Sequence, residues 1–169
     1  MTTLLLPFDG SASARHGVRH VVAVHRTVPD LRVHVLNVQA PFSRNVARHV
    51  GRRTRAECHR EQAEAVLADA RRMLDAAGVR HVLHWEVGDR AASIVSAARR
   101  LRCDRIVIGT PRRSLLVRLV EGSVINRVIA STTVPVEVIA GDAPSRLERF
   151  GIPAGVGTGL TALWLAAAD

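Results

Sequence analysis

Five short apolar runs, separated by stretches whose apolar residues recur every three or four positions, constrain this chain more than any other feature. The runs are Leu4–Phe8, Leu31–Val38, Val79–Val87, Arg105–Gly109 and Val134–Ile139. Each is too short for a buried helix and is bounded by turn residues such as Asp9-Gly10, Gly88-Asp89 and Gly109, so each reads as a strand. Between them, Ala14, Val18, Val21, Val22 and His25 fall on one helical face, with Ser11 or Ser13 available as the cap. Ala63, Val66, Leu67, Ala70, Met73, Leu74 and Ala77 define a longer helix that Gly78 stops. Asp89 caps a third helix with Ala92, Ile94, Val95, Ala98 and Leu101 inward, and Gly122-Ser123 opens a last short one to about Ala130. Residues 41–53 show no period and read as a loop or a frayed helix entry.

Strand and helix therefore alternate from end to end, which predicts an α/β domain with a parallel sheet and right-handed crossovers. The expected order is 3-2-1-4-5 with helices on both faces, a Rossmann-like arrangement. Strands 1 and 4 then meet at the topological switch point, and ligands of such sheets bind beyond the carboxyl ends of those strands. The residues there are Pro7, Asp9 and Gly10 on one side and Gly109 and Thr110 on the other. Glu137 inside the last strand would be costly in a covered position, so that strand is expected at an edge.

Composition narrows the function classes. The 169 residues suit one domain, and no apolar run reaches the roughly 18 residues of a membrane span. The first residues lack a basic segment and a cleavage site, and read as strand rather than export signal. Cys58 and Cys103 stand singly without a metal-type spacing, which together with the previous point predicts a reducing cytoplasm. All 24 basic residues are Arg, giving a formal charge of +9. With only 3% aromatic residues and no base-stacking motif, a solvated basic surface is favoured over nucleic-acid binding. Between 41 and 60 six Arg stand against the single acid Glu57, a local balance of +5. His16 and His20, four apart on the first helix, lack a third ligand, and His81 and His84 face opposite sides of a strand.

The stretch after the fourth strand, IVIGTPRRSLLVRLVEGSVINRVIASTTVPVEVI, carries the most specific signal. Gly109 allows close backbone approach, and Gly122-Ser123 at a helix start offers free N–H groups and a hydroxyl to a phosphate. This stretch resembles the universal stress protein family, whose signature is Gly, two residues, Gly, nine residues, then Gly-Ser or Gly-Thr. Gly109 and Gly122-Ser123 match at the right separation. The opening LLLPFDGS and the segment GDRAASIVSAARRLRCDRIVIGT resemble the family's first strand and its third helix with the fourth strand. The likeness covers residues 1–140 and leaves 141–169 as a Pro- and Gly-containing extension that ends in a short apolar segment.

The resemblance implies an ATP or AMP site. In it Pro7 and Asp9 border the nucleotide, Asp9 reaching the ribose or a phosphate-bound Mg²⁺. The backbone of Val38 meets the adenine edge, and Gly109, Gly122, Ser123 and Val124 line the phosphates. It also implies a homodimer through the last strand, with Val134, Val136, Glu137 and Val138 at the edge. The departure is Arg112, which stands where the second signature glycine belongs. A residue with a Cβ resists the positive φ that a tight phosphate turn can require. The Arg head group can instead fill the pocket or pair bidentately with a phosphate; a weakened or empty site is expected. Pro111 stiffens the same turn, and Leu115 stands where the family often has a small residue. The functions that follow are a regulatory dimer with a degenerate adenine-nucleotide site, a fully competent ATP-binding stress protein, or an interaction module for a regulatory protein partner without nucleotide. Catalysis ranks below these, at most a slow ATPase, because no general base is positioned in the sequence.

Overall fold

The computed structural model describes residues 1–28, 30–110 and 124–141. Its elements are β1 (Thr2–Pro7), α1 (Ala12–Thr27), β2 (Leu31–Gln39), α2 (Arg44–His49), α3 (Arg52–Ala76), β3 (His81–Val87), α4 (Arg90–Arg100), β4 (Arg105–Thr110), α5 (Val124–Ser131) and β5 (Val136–Ala140). All strand pairs are parallel, and the sheet order is β3-β2-β1-β4-β5, as the alternation predicts. The expected strands and the four expected helices are present.

The sheet separates two apolar layers. On one face Leu4, Leu6, Val33 and Val35 pack with Val18 and Val21 of α1 and with Leu67, Ala70 and Leu74 of α3. On the other, Leu5, Leu36, Ile106 and Ile108 pack with Ile94, Val95 and Ala98 of α4 and Val128 of α5. Strand period two sends alternate residues of β1 to opposite layers, which is why LLL must be apolar throughout. Each fully buried Leu or Val stabilises the fold by roughly 1.5–3 kcal/mol before entropy is subtracted.

The helix boundaries follow from local chemistry. Ser11 Oγ accepts the Ala14 N–H of α1, and Asp89 Oδ1 accepts the Ala92 N–H of α4, two caps that the sequence placed. Gly78 takes φ +66° after α3, the left-handed residue that stops a helix. Three details differ from expectation. Residues 44–49 form the short helix α2 instead of a loop, and α3 begins at Arg52. Those turns were invisible because their arginines present no apolar period, and the extra length of α3 is held by His59, which is buried although polar. Ala91, not Ala92, faces the core from α4, while Ile94, Val95 and Ala98 are buried as expected. Val134 precedes β5 instead of opening it, because Pro135 intervenes; its side chain packs on the α4–α5 layer.

Candidate functional site

The site is built where β1 and β4 part. The ladder between them registers only Leu4 with Arg105 and Leu5 with Ile106. Two residues later Pro7 has no N–H to offer, so the ladder is not continued through it. The Phe8 N–H still bonds to Leu36 O at 2.8 Å, after which the chain leaves the sheet through Asp9 and Gly10 (φ +79°). β2, by contrast, continues three residues further, to Gln39, beside β3. In a parallel strand alternate residues present both backbone groups to the same neighbour. Leu36 faces β1, so Val38 faces the same way, where β1 is no longer present. Its N–H and C=O are thereby turned toward a crevice.

That crevice is a cavity of about 160 Å³. Its floor is Pro7, Phe8 and Ala14 from β1 and α1, Leu36 and Val38 from β2, and Ile108 and Gly109 from β4. Ile94 of α4 and Val124 and Ile125 of α5 close the apolar side, and Asp9, Ser11 and Arg90 stand at the polar side. Asp9 Oδ1 accepts the Ser11 N–H at 3.0 Å, so the exposed carboxylate also braces the turn that leads into α1. Buried Asn37 donates to Phe8 O at 2.8 Å and fixes the chain where it exits β1. Gln39 extends this network by donating to Asn37 Oδ1 and to His59 O, and Gln39 Oε1 lies 2.7 Å from His59 Nδ1.

Gly109 is required by packing. A Cβ there would lie 1.8 Å from Ser13 O and 2.6 Å from Ser13 C. Gly17 completes the fit, since its own Cβ would be 3.1 Å from Leu6 Cδ1 and 3.5 Å from Gly109 N. The two glycines let the first turns of α1 lie directly on β4, which sets Asp9 and Ser11 at the cavity rim.

Next to Arg90 in the chain, Asp89 receives both Arg127 Nη1 and Nη2 at 2.9 Å while capping α4. This fork ties α4 to α5 and holds the Asp89 carboxyl below the usual carboxylate range, the Arg127 guanidinium contributing most and the Ala92 N–H next. Elsewhere burial, with Asp104 beside it, pushes the Cys103 thiol up to about 11. No group of three or more metal-ligating side chains occurs among the described residues, and no described helix is long and apolar enough to cross a membrane.

Of the site candidates named from the sequence, the structure places Pro7, Asp9, Val38, Gly109 and Val124 around one cavity. Arg112, Gly122 and Ser123, together with Pro111 and Leu115, lie outside the described residues, as does the chain beyond Gly141. Arg90 and the Asp89–Arg127 fork were missed. The only sequence signal for Asp89 and Arg90 in this role is their place after strand 3, whose carboxyl end opens on the same side of the sheet; Arg127, in α5 after strand 4, carries none. At the far edge β5 is terminal, as Glu137 predicts. Glu137 lies between Arg105 Nη1 at 2.9 Å and His20 Nε2 at 2.7 Å, while Val138 is exposed.

Comparison with known proteins agrees with this geometry. The model of the universal stress protein family matches residues 1–140. A stress response protein, NhaX, from Bacillus subtilis (strain 168) is 32% identical over 81 residues. That match takes in 48% of this chain and 49% of NhaX, so this chain spans about half the length of the curated relative. A universal stress protein family structure from Burkholderia pseudomallei superposes with a TM-score of 0.64 at 23% identity, covering 82% of this chain and 95% of its own. A family member from Arabidopsis thaliana, solved with AMP bound, has a TM-score of 0.64 at 17% identity, covering 86% and 97%. At such identities the two structures establish the fold. With strand order, the glycine-packed β1–β4 crevice and a family match over 140 residues in agreement, the chain belongs to the universal stress protein family.

Proposed function

We propose that this protein is a stress-response regulatory homodimer that senses adenine nucleotide weakly at the β1–β4 crevice. The observation that carries this reading is the pairing of an apolar slot with strand backbone at Val38 that faces it beyond the end of β1. An adenine ring is flat and apolar on its faces and carries donors and acceptors on its edge. Leu36, Ile94 and Ile108 suit the faces, and the backbone of Val38 suits the edge. Asp9 at the rim accepts from ribose hydroxyls, and Arg90 on the facing rim supplies a cation for phosphate. The family member solved with AMP supports the ligand class.

Arg112 in the place of the signature glycine supports weak binding. Holding a non-glycine residue at positive φ costs roughly 1–2 kcal/mol, which is about tenfold in affinity. Calorimetric titration with AMP and with ATP and Mg²⁺ tests the reading, native chain against Arg112→Gly. A second copy pairs through β5, an edge strand with exposed Val138. The same assembly gives a regulatory protein partner one composite surface to read.

A further inference from the structure

The sheet has a second edge, and it is not defended. Natural edge strands are kept short, bulged or charged to prevent pairing with other chains. β5 follows that rule, with five residues and Glu137 held between Arg105 and His20. β3 does not. It runs seven residues, HVLHWEV, without Pro or Gly, and its one acid, Glu86, is neutralised by Arg100.

The register shows which groups this edge presents. The Val33 N–H bonds to Arg80 O, and the Gly88 N–H bonds to Gln39 O, so even-numbered residues of β3 face β2. The N–H and C=O groups of Leu83, Trp85 and Val87 therefore point away from the sheet, where no further strand stands among the described residues. Trp85 and Val87 are 38% and 41% exposed, unusual for apolar side chains that could have turned inward.

Beside them lies a groove formed with Pro41, Phe42, Ala56 and His59, into which Arg52 and Arg55 project as well. Phe42 stacks on the His59 ring at 4.4 Å. No acid lines the groove, since Glu57 turns to Arg53. The Arg55 Nε is buried without a hydrogen-bond partner. The α3 helix starts here at Gly51 with no side-chain cap and no acid in its first turn, so its dipole adds to the same positive field. Apolar residues and cations are both present; an anion is what the surface lacks.

We propose that the β3 edge and its groove bind an extended acidic segment of a partner protein, added to the sheet as a sixth strand. The backbone of Leu83, Trp85 and Val87 supplies the ladder bonds. Alternate apolar side chains of the incoming segment cover Trp85, Val87 and Phe42, and its carboxylates meet Arg52 and Arg55. This surface lies at the edge of the sheet opposite β5 and is independent of the nucleotide reading.

Amide hydrogen exchange on the full chain, with a labelled peptide alternating valine and glutamate as the probe, tests it. In the free protein the amides of Leu83, Trp85 and Val87 exchange fast while those of Val82, His84 and Glu86 are slow. The peptide slows the fast set, an otherwise identical peptide with lysine for glutamate does not, and Arg52→Glu with Arg55→Glu weakens binding about tenfold or more. Arg52 is exposed and Arg55 half-buried, so an unchanged circular dichroism spectrum and melting temperature separate lost binding from lost folding. Equal binding of the two peptides, or bound peptide without protection at β3, would overturn the proposal. So would fast-set amides already protected in the free protein: at every concentration, because the chain covers its own edge, or only at high concentration, because a second copy does.

Discussion

At the level of single residues, the glycine that opens the family signature acts first through packing. Ser13 O occupies the space a Cβ at Gly109 would need, so Gly109→Ala must push α1 off β4. The expected loss is about 3 kcal/mol, the upper part of the range for overpacked cores, read as a shift in denaturant midpoint. Gly51→Ala, where nothing lies within 4 Å, is the control and should cost far less. A loss at Gly109 no larger than at Gly51 would show that α1 is not held against β4 in this way. The sequence revealed that a glycine was needed after the fourth strand but could not reveal why, because Ser13 lies almost a hundred residues away in the chain. Arg90 and Arg127 illustrate the same limit. Among 24 arginines nothing local distinguishes Arg90, which lines the cavity, or Arg127, which ties α5 to Asp89, and only the packing of α4 and α5 on one face of the sheet gives them these places.

At the level of elements, β2 and β3 carry a pair that strand period alone did not predict. His34 Nδ1 and His84 Nε2 lie 2.9 Å apart with the ring centroids at 5.1 Å. Burial holds both imidazoles below their ordinary value of 6.5; His84 lowers His34 further, and Arg100 acts likewise on His84. A histidine depressed in the fold is protonated first in the unfolded chain, so stability is fully present above about pH 6.5 and falls as pH drops below it. Thermal unfolding across that interval should show a steeper loss for the native chain than for His84→Gln. Parallel curves would mean that the pair does not titrate as the burial requires. The edge strands are also a property of this scale. Val138→Glu on β5 is expected to convert the proposed dimer to monomer in sedimentation velocity, leaving the fold intact, and a persistent dimer would place the interface elsewhere. The strands and amphipathic helices were legible because periodicity is a local property. α2 and the first turns of α3 were not, since their residues are mostly polar and show no apolar period, and His59 of α3 is held by Gln39, twenty residues away in the chain.

At the level of the molecule, the fold is a consequence of alternation, and the site a consequence of the fold. Parallel β-α-β units put all loops that follow strands on one side, and the switch between β1 and β4 leaves one crevice there. Pro7 ends one ladder, Asp9-Gly10 turns the chain away, and Val38 is left with backbone groups facing a slot of apolar side chains. In the proposed reading adenine nucleotide is the ligand that suits this geometry, and Arg112 in place of the signature glycine weakens its binding. The most direct measurement is the paired titration of the native chain and Arg112→Gly with AMP and with ATP and Mg²⁺. The account predicts saturable binding by the native chain, with an affinity for ATP that rises about tenfold when glycine is restored. No binding heat from either protein, with no thermal shift at saturating nucleotide, would contradict it.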